Sequence, residues 1–171
     1  KLDKYKCIRT TVEYEKFNYY PKLPNLDKLI FCHLGTTDGA YNLEETLKIF
    51  SNILKILNNS KIWIISNDNK IEIKKKLEYY NIPSLNYEIF EVDHSTIYTK
   101  INEVDLGIFY LNINESIKAS FPTKIAEFFI CNKPFLCNDF NTDVKKIINS
   151  NLALQIYKDI KIDDLFINKI K

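Results

Sequence analysis

The 171-residue sequence predicts an α/β domain built on an open, parallel, six-stranded Rossmann-like sheet with helices on both faces. Two observations predict it. Short apolar runs alternate with longer segments in which apolar residues recur every three or four positions. Runs that are apolar on both sides are typical of strands covered on both faces, and each right-handed crossover between parallel strands needs a connecting helix.

The first strand is predicted over residues 29–34 and ends at Gly35. Asn42 begins a helix that runs to about Leu57, with Glu45 three residues further on completing a capping box. Its apolar residues recur at helical spacing and form one core-facing stripe. That stripe consists of Leu43, Leu47, Phe50, Leu54 and Leu57.

The same alternation continues to the end of the chain. Further strands are predicted over 62–65, 87–92, 106–111, 134–137 and 152–156. Further helices are predicted over 71–80, 95–102, 122–131, 143–148 and 162–170, and a polar loop precedes Ser120. Three parts follow from this pattern: an irregular segment over 1–27 that leads from another domain, a Rossmann-like domain over 28–157, and a helical tail over 158–171.

Ligands of such sheets bind outside the carboxyl ends of the strands. Functional residues are therefore expected in the loops 35–41, 66–69, 92–95, 111–121 and 138–142.

The composition excludes several classes of protein. The formal net charge of +2 does not suit a strongly basic nucleic-acid module, so no nucleic-acid partner is expected. Arg9 is the single arginine, so an anion site in the body of the chain must use lysine and backbone N–H groups. The four cysteines form no metal-ligand spacing, which predicts reduced thiols and a cytoplasmic location. No apolar run approaches 18 residues, so no transmembrane span is expected.

Two charged residues stand near the start of the predicted helix over 122–131. Pro122 suits the first helical position, and Lys124 then falls in the first turn, where a cation opposes the helix dipole. Lys124 is either a solvated lysine or the partner of an anion bound at this helix start. Glu127 lies among apolar neighbours, so it either pairs with Lys124 or accepts hydrogen bonds from a ligand diol.

The loop after the first strand, Gly35 to Gly39, matches neither a dinucleotide fingerprint nor a Walker A motif. It is either a tight turn or a place where a ligand approaches the backbone. His33 is predicted to be a satisfied group of the core, and His94 either caps a loop or touches a ligand. Asp105 is predicted to secure the start of a strand.

Three segments carry a resemblance to a known family. They are 105–110 (DLGIFY), 120–127 (SFPTKIAE) and 132–136 (NKPFL), with Ser116 between the first two. Together they resemble the C-terminal, donor-nucleotide-binding half of GT-B glycosyltransferases, family 4-like. The resemblance covers about residues 28–157 and implies that the sheet is one half of a GT-B fold.

The resemblance implies metal-independent glycosyl transfer from a nucleotide-sugar, with no other cofactor, to a glycan or lipid acceptor held by a second domain. It implies that Glu127 holds the ribose hydroxyls and that Lys124 faces the diphosphate or sugar; these are the expected catalytic residues. It places the nucleotide-sugar against Gly35, Thr36, His94, Ser120 and Thr123. It also implies a cytoplasmic protein whose full length can contact the inner face of a membrane peripherally.

The sequence departs from the family pattern in three places. Ala119 stands where the first glutamate of the family's pair is expected, no basic residue occurs between Gly35 and Asn42, and Asn132 replaces a glycine. Asn132 can still adopt the left-handed conformation that ends a helix. Two alternatives therefore remain open: a degenerate GT-B domain that acts in interaction only, and a GT-B sugar-nucleotide epimerase. Without its acceptor domain, this piece is expected to be inactive as a transferase.

Overall fold

The computed structural model describes residues 24–150, 153–156 and 160–170. Within these residues the strands are β1 (Ile30–Leu34), β2 (Lys61–Ile65), β3 (Tyr87–Phe90), β4 (Leu106–Phe109), β5 (Phe135–Cys137) and β6 (Leu154–Gln155). The helices are α1 (Leu43–Leu54), α2 (Lys70–Tyr79), α3 (Ile97–Glu103), α4 (Glu115–Ala119), α5 (Thr123–Ile130), α6 (Thr142–Asn149) and α7 (Asp164–Ile170). Two short 3-10 turns span Ser84–Asn86 and His94–Thr96.

The six strands form one parallel sheet in the order β3-β2-β1-β4-β5-β6. The chain adds strands outward from β1 in one direction and then, from β4 onward, in the other. The strand order therefore reverses between β1 and β4, which is the point where open α/β sheets bind their ligands. The predicted fold class is confirmed.

Helices cover both faces of the sheet, because successive strand side chains point to opposite sides. Phe31 lies on the face that α1, α2 and α7 cover. Cys32 and Leu34 lie on the face that α3, α5 and α6 cover. Both clusters consist of buried residues, so the sheet is buried on both sides as the unbroken apolar runs predict.

The first helix begins at the predicted N-cap but lacks the second half of the predicted capping box, because the Asn42 N–H donates to the Tyr110 carbonyl; the helix also ends slightly earlier than predicted. The Asn42 side chain accepts a hydrogen bond from the Glu45 backbone N–H, at 3.0 Å. The helix ends at Leu54 and continues as a turn, in which the Leu57 N–H still donates to the Ile53 carbonyl. Leu57 therefore remains in the core although it lies outside the helix.

One helix was not expected. The region predicted as a polar loop before Ser120 contains α4, whose N-cap Asn114 accepts a hydrogen bond from the Ile117 N–H at 2.9 Å. The residues of this helix are mostly exposed, so no apolar stripe marks it in the sequence. Asn114 followed by Glu115 was the available signal.

Two residues in and beside β4 determine how this strand packs against β1 and α5. Asp105 Oδ2 accepts a hydrogen bond from the Ile30 N–H at 2.8 Å, which confirms its predicted role at a strand start. A Cβ on Gly107 would lie 2.9 Å from the Phe128 ring, so the missing side chain lets α5 pack close to β4. Helix α5 ends at Ile130, and Asn132 just beyond it has a φ of 50°, the left-handed conformation predicted for the end of this helix.

Most of the segment 1–27 lies outside the described residues, as do Leu152 at the start of the predicted last strand and Cys7. Cys32, Cys131 and Cys137 are buried free thiols, as predicted. Helix α7 of the tail packs Phe166 and Ile167 into the core. No helix in the described ranges combines the length and apolar character that a membrane crossing requires.

Candidate functional site

A cleft of about 320 Å³ opens at the carboxyl ends of β1, β2 and β3, beside α3 and α5. It is lined by Leu34, Gly35, Thr36, Tyr41, Ile65, Ser66, Asn67, Asp68, Val92, His94, Ile97 and Lys124. The loops after three strands contribute to it, at the edge of the sheet where the sequence predicts ligand binding.

The loop after β1 approaches the cleft with its backbone. Gly35 has a φ of 130°, a conformation that disfavours any side chain, and a Cβ there would meet the Tyr41 ring at 3.3 Å. The Thr36 carbonyl lies 3.3 Å from Nε2 of His33, which is fully buried. Burial lowers the pKa of His33 to about 4, so the ring is neutral at neutral pH and Nε2–H donates to Thr36. His33 thus anchors the loop after β1 through this hydrogen bond from the buried strand.

Asp68, in the loop after β2, also anchors the loop after β1. Its Oδ2 accepts hydrogen bonds from the backbone N–H of Thr37 at 2.6 Å and from the Thr37 hydroxyl at 2.7 Å. These two bonds lower the pKa of the Asp68 carboxyl below its ordinary value. The sequence identified the loop 66–69 but not Asp68 itself; an aspartate placed three residues after a buried strand was the available signal.

The loops after β1 and β4 are joined at the switch point. The Asn112 side chain donates to the Gly39 carbonyl at 2.7 Å, and the Asn42 N–H donates to the Tyr110 carbonyl at 2.8 Å. Buried Asn138 exchanges two 2.9 Å hydrogen bonds with the backbone of Leu111. Sequence reasoning missed Asn112 and Asn138, because an asparagine in a loop does not indicate its distant partner.

Glu127 of α5 is the most unusual group at the site. Its side chain is 0% exposed, and Oε1 lies 3.1 Å from Nε2 of His94. Oε2 lies 3.6 Å from Nζ of Lys124, and it accepts no hydrogen bond from the described part of the chain. The carboxylate therefore keeps an unused acceptor in a buried place.

The charges around the cleft are few. Lys124 is the one lysine among the described residues that line it, and Asp68 and buried Glu127 bring negative charge. Burial, and next the charge of Glu127, raise the pKa of Tyr41 well above its usual value, so its phenol stays protonated. No group of three or more His, Cys, Asp or Glu residues that could hold a metal occurs in the described ranges.

The structure brings most of the predicted site residues together. Gly35, Thr36, His94 and Lys124 line the cleft, and Glu127 contacts the last two. The remaining two predicted site residues, Ser120 and Thr123, are not among the described residues that line the cleft. Ser120 is exposed at the end of α4, where its hydroxyl donates to the Ile117 carbonyl at 3.2 Å. Thr123 is the partly buried first residue of α5.

A Rossmann-like half-domain with a cleft at the carboxyl ends of its strands is the class of protein that fold and site define. No protein-family model and no curated protein sequence matches the chain. Solved structures do match. WaaG, a glycosyltransferase involved in lipopolysaccharide biosynthesis, superposes with a TM-score of 0.71 at 11% identity, over 99% of this chain and 48% of that one.

Two further matches agree with the first. A mutant of S. aureus TarM, in complex with Fondaparinux, alpha-GlcNAc-glycerol and UDP, gives a TM-score of 0.66 at 17% identity, over 94% of this chain and 30% of that one. The C-terminal domain of the group 1 glycosyl transferase LpcC from Francisella tularensis gives 0.61 at 13% identity, over 85% of this chain and 79% of that one.

These similarities establish the fold of the chain, which is that of the C-terminal domain of a GT-B glycosyltransferase. The chain spans about half of WaaG and about a third of TarM.

Proposed function

We propose that the cleft binds the nucleotide part of a nucleotide-sugar and that the chain is the donor domain of a glycosyltransferase. The observation that carries the proposal is Glu127, a fully buried carboxylate with one oxygen that accepts no hydrogen bond from the described residues. It lies at the sheet edge where such folds bind ligands. A buried carboxylate with an unused acceptor suits a ligand that brings hydroxyl donors of its own.

The ribose of the nucleotide is assigned to Glu127, whose two oxygens can accept one hydrogen bond from each hydroxyl of a vicinal diol. This assignment favours the second alternative that the sequence left open for Glu127, a ligand contact. The 3.6 Å separation from Lys124 leaves that lysine able to neutralise Glu127 and to approach a phosphate as well.

The diphosphate is assigned to the space between Lys124 and the backbone of Gly35 and Thr36. Lys124 lies in the first turn of α5, and the positive end of a helix dipole favours an anion there. Gly35 has no side chain to keep a phosphate from the backbone. In glycosyl transfer the diphosphate leaves with the bonding electrons, and a fixed cation stabilises the charge that develops. This arrangement needs no metal ion.

The acceptor is assigned to a second domain, because the matched transferases WaaG and TarM are two to three times as long as this chain. A glycan or lipid acceptor, a cytoplasmic location and peripheral membrane contact of the full protein all belong to this proposal. The isolated domain is expected to bind a nucleotide without transferring sugar.

Thermal unfolding of the chain with UDP, GDP, ADP, CMP or dTDP tests the proposal. UDP is the first probe, because it is present in the TarM complex. A ligand at 100 times its Kd adds about 2.7 kcal/mol to the free energy of unfolding, which raises Tm by several degrees. We expect one base to give this shift in the wild type and to lose it in Glu127→Gln.

The matched control is Glu115→Gln, which removes a glutamate that is 91% exposed on α4. This variant should retain the full shift. If no nucleotide shifts the wild type, or if Glu127→Gln shifts as much as Glu115→Gln, the proposal is wrong and an interaction-only domain becomes the better interpretation.

A further inference from the structure

His94 covers the carboxylate to which the ribose is assigned. Its Nε2 lies 3.1 Å from Glu127 Oε1, and its own side chain is 71% exposed while that of Glu127 is 0% exposed. In this arrangement the imidazole stands between Glu127 and solvent. A ligand hydroxyl that is to reach Oε1 must take the place of the imidazole N–H.

We propose that His94 competes with the ligand for Glu127, so that a ribose reaches this carboxylate only when its own hydroxyl groups replace the imidazole. This inference rests on the proposed function and adds a selection step to it. Inorganic pyrophosphate, which has no ribose, does not need to displace His94, whereas a ribonucleotide does.

The positions of the two residues decide which of them moves. Glu127 is held inside α5 between buried Ile125 and Phe128. His94 begins a short 3-10 turn, His94–Thr96, that connects β3 to α3, and most of its ring already faces solvent. Rotation of an exposed side chain costs little, so the imidazole swings outward while the carboxylate stays.

Several charged and polar groups surround His94. Glu127 and Lys124 face it from α5, Asp68 and Tyr41 line the same cleft from the loops after β2 and β1, and Asp93 is its neighbour. Near neutral pH, Tyr41 stays neutral because burial raises the pKa of its phenol. Asp68 stays ionised because two hydrogen bonds from Thr37 lower the pKa of its carboxyl.

Isothermal titration of wild type, His94→Ala and the control Ser95→Ala with UDP, GDP and ADP tests the competition. Removing the competitor should tighten nucleotide binding about two- to tenfold, the equivalent of one hydrogen bond of ordinary net strength. Pyrophosphate should bind wild type and His94→Ala equally.

Acylation of histidine by diethyl pyrocarbonate gives a second readout. Bound nucleotide should raise the reaction rate of His94 if His94 is a competitor and lower it if His94 contacts the ligand. The chain has two histidines, and His33 is buried, so the reaction reports on His94. Displacement from Glu127 should make His94 react faster when nucleotide is bound. Protection by the nucleotide would mean that His94 contacts the ligand, and the inference would be wrong.

The two proposals fail in different ways. If wild type binds nucleotide through Glu127 but His94→Ala binds it equally or more weakly, the proposed function stands and the competition does not. If neither wild type nor His94→Ala binds any of the three nucleotides, both proposals are wrong.

Discussion

Asp68 and Thr37 join the loops after β2 and β1 through two hydrogen bonds to a single carboxylate oxygen, at 2.6 and 2.7 Å. Thr37 is only 6% exposed, so its N–H depends on a partner inside the protein. The bonds hold the loop that carries Gly35 and Thr36 against the cleft. The shape of the candidate phosphate site therefore depends on a residue of the neighbouring strand-to-helix connection.

Asp68→Ala should reduce the free energy of unfolding by about 1–2 kcal/mol, because it leaves the Thr37 N–H buried without its acceptor. Urea denaturation measures the loss. The matched control is Asp38→Ala, which removes a carboxylate that is 83% exposed and pairs with Lys76. It should cost less than about 0.5 kcal/mol, as exposed ion pairs do. Equal losses in the two variants would contradict the role of Asp68.

His33 should make stability depend on pH. Burial lowers its folded-state pKa to about 4 from 6.5, so the unfolded chain binds the extra proton between these values. Above about pH 6.5, His33 is neutral in both states and costs no stability. As the pH falls from there toward 4, the free energy of unfolding decreases by about 3 kcal/mol in all. His33→Gln should flatten this part of the curve in urea denaturation at several pH values. The inference about His33 is wrong if both proteins lose stability in parallel.

Gly107→Ala should destabilise the domain by about 1–3 kcal/mol, because the added Cβ would lie 2.7 Å from the Phe109 ring and 2.9 Å from the Phe128 ring. The Phe128 ring must then move, together with the helix that carries Glu127. Thermal unfolding measures the loss. Phe128→Leu removes ring atoms at the contact, so the double variant should lose less than the sum of the two single changes. Strict additivity would mean that the two residues do not collide.

Lys124→Ala should weaken the binding of UDP about tenfold more than that of uridine, because only UDP brings phosphate charge to the lysine. Titration calorimetry with both ligands measures the difference. Lys118→Ala is the control, since Lys118 is half-exposed on α4 and pairs with Glu115. An equal loss for UDP and uridine would remove Lys124 from the phosphate site.

The sequence was sufficient for the architecture because the architecture depends on local patterns. Apolar runs without a polar side gave the buried strands, helical spacing gave the core stripe of α1, and Asn132 marked the left-handed end of α5. Asp105, placed directly before a buried strand, was correctly predicted to secure the strand start. Apart from the contact of Asp105 with Ile30, which spans 75 positions, each of these features involves residues that lie close together in the chain.

The contacts within the candidate site had to await the tertiary structure. His94 and Glu127 are 33 positions apart, Thr37 and Asp68 are 31 apart, and Asn112 and Gly39 are 73 apart. No periodicity relates such pairs, because their distances depend on strand order and on the paths of the loops. The sequence thus determined the sheet and the edge that carries the candidate site. Only the packing of α5 against the strand ends decided that Glu127 is buried and that His94 covers it.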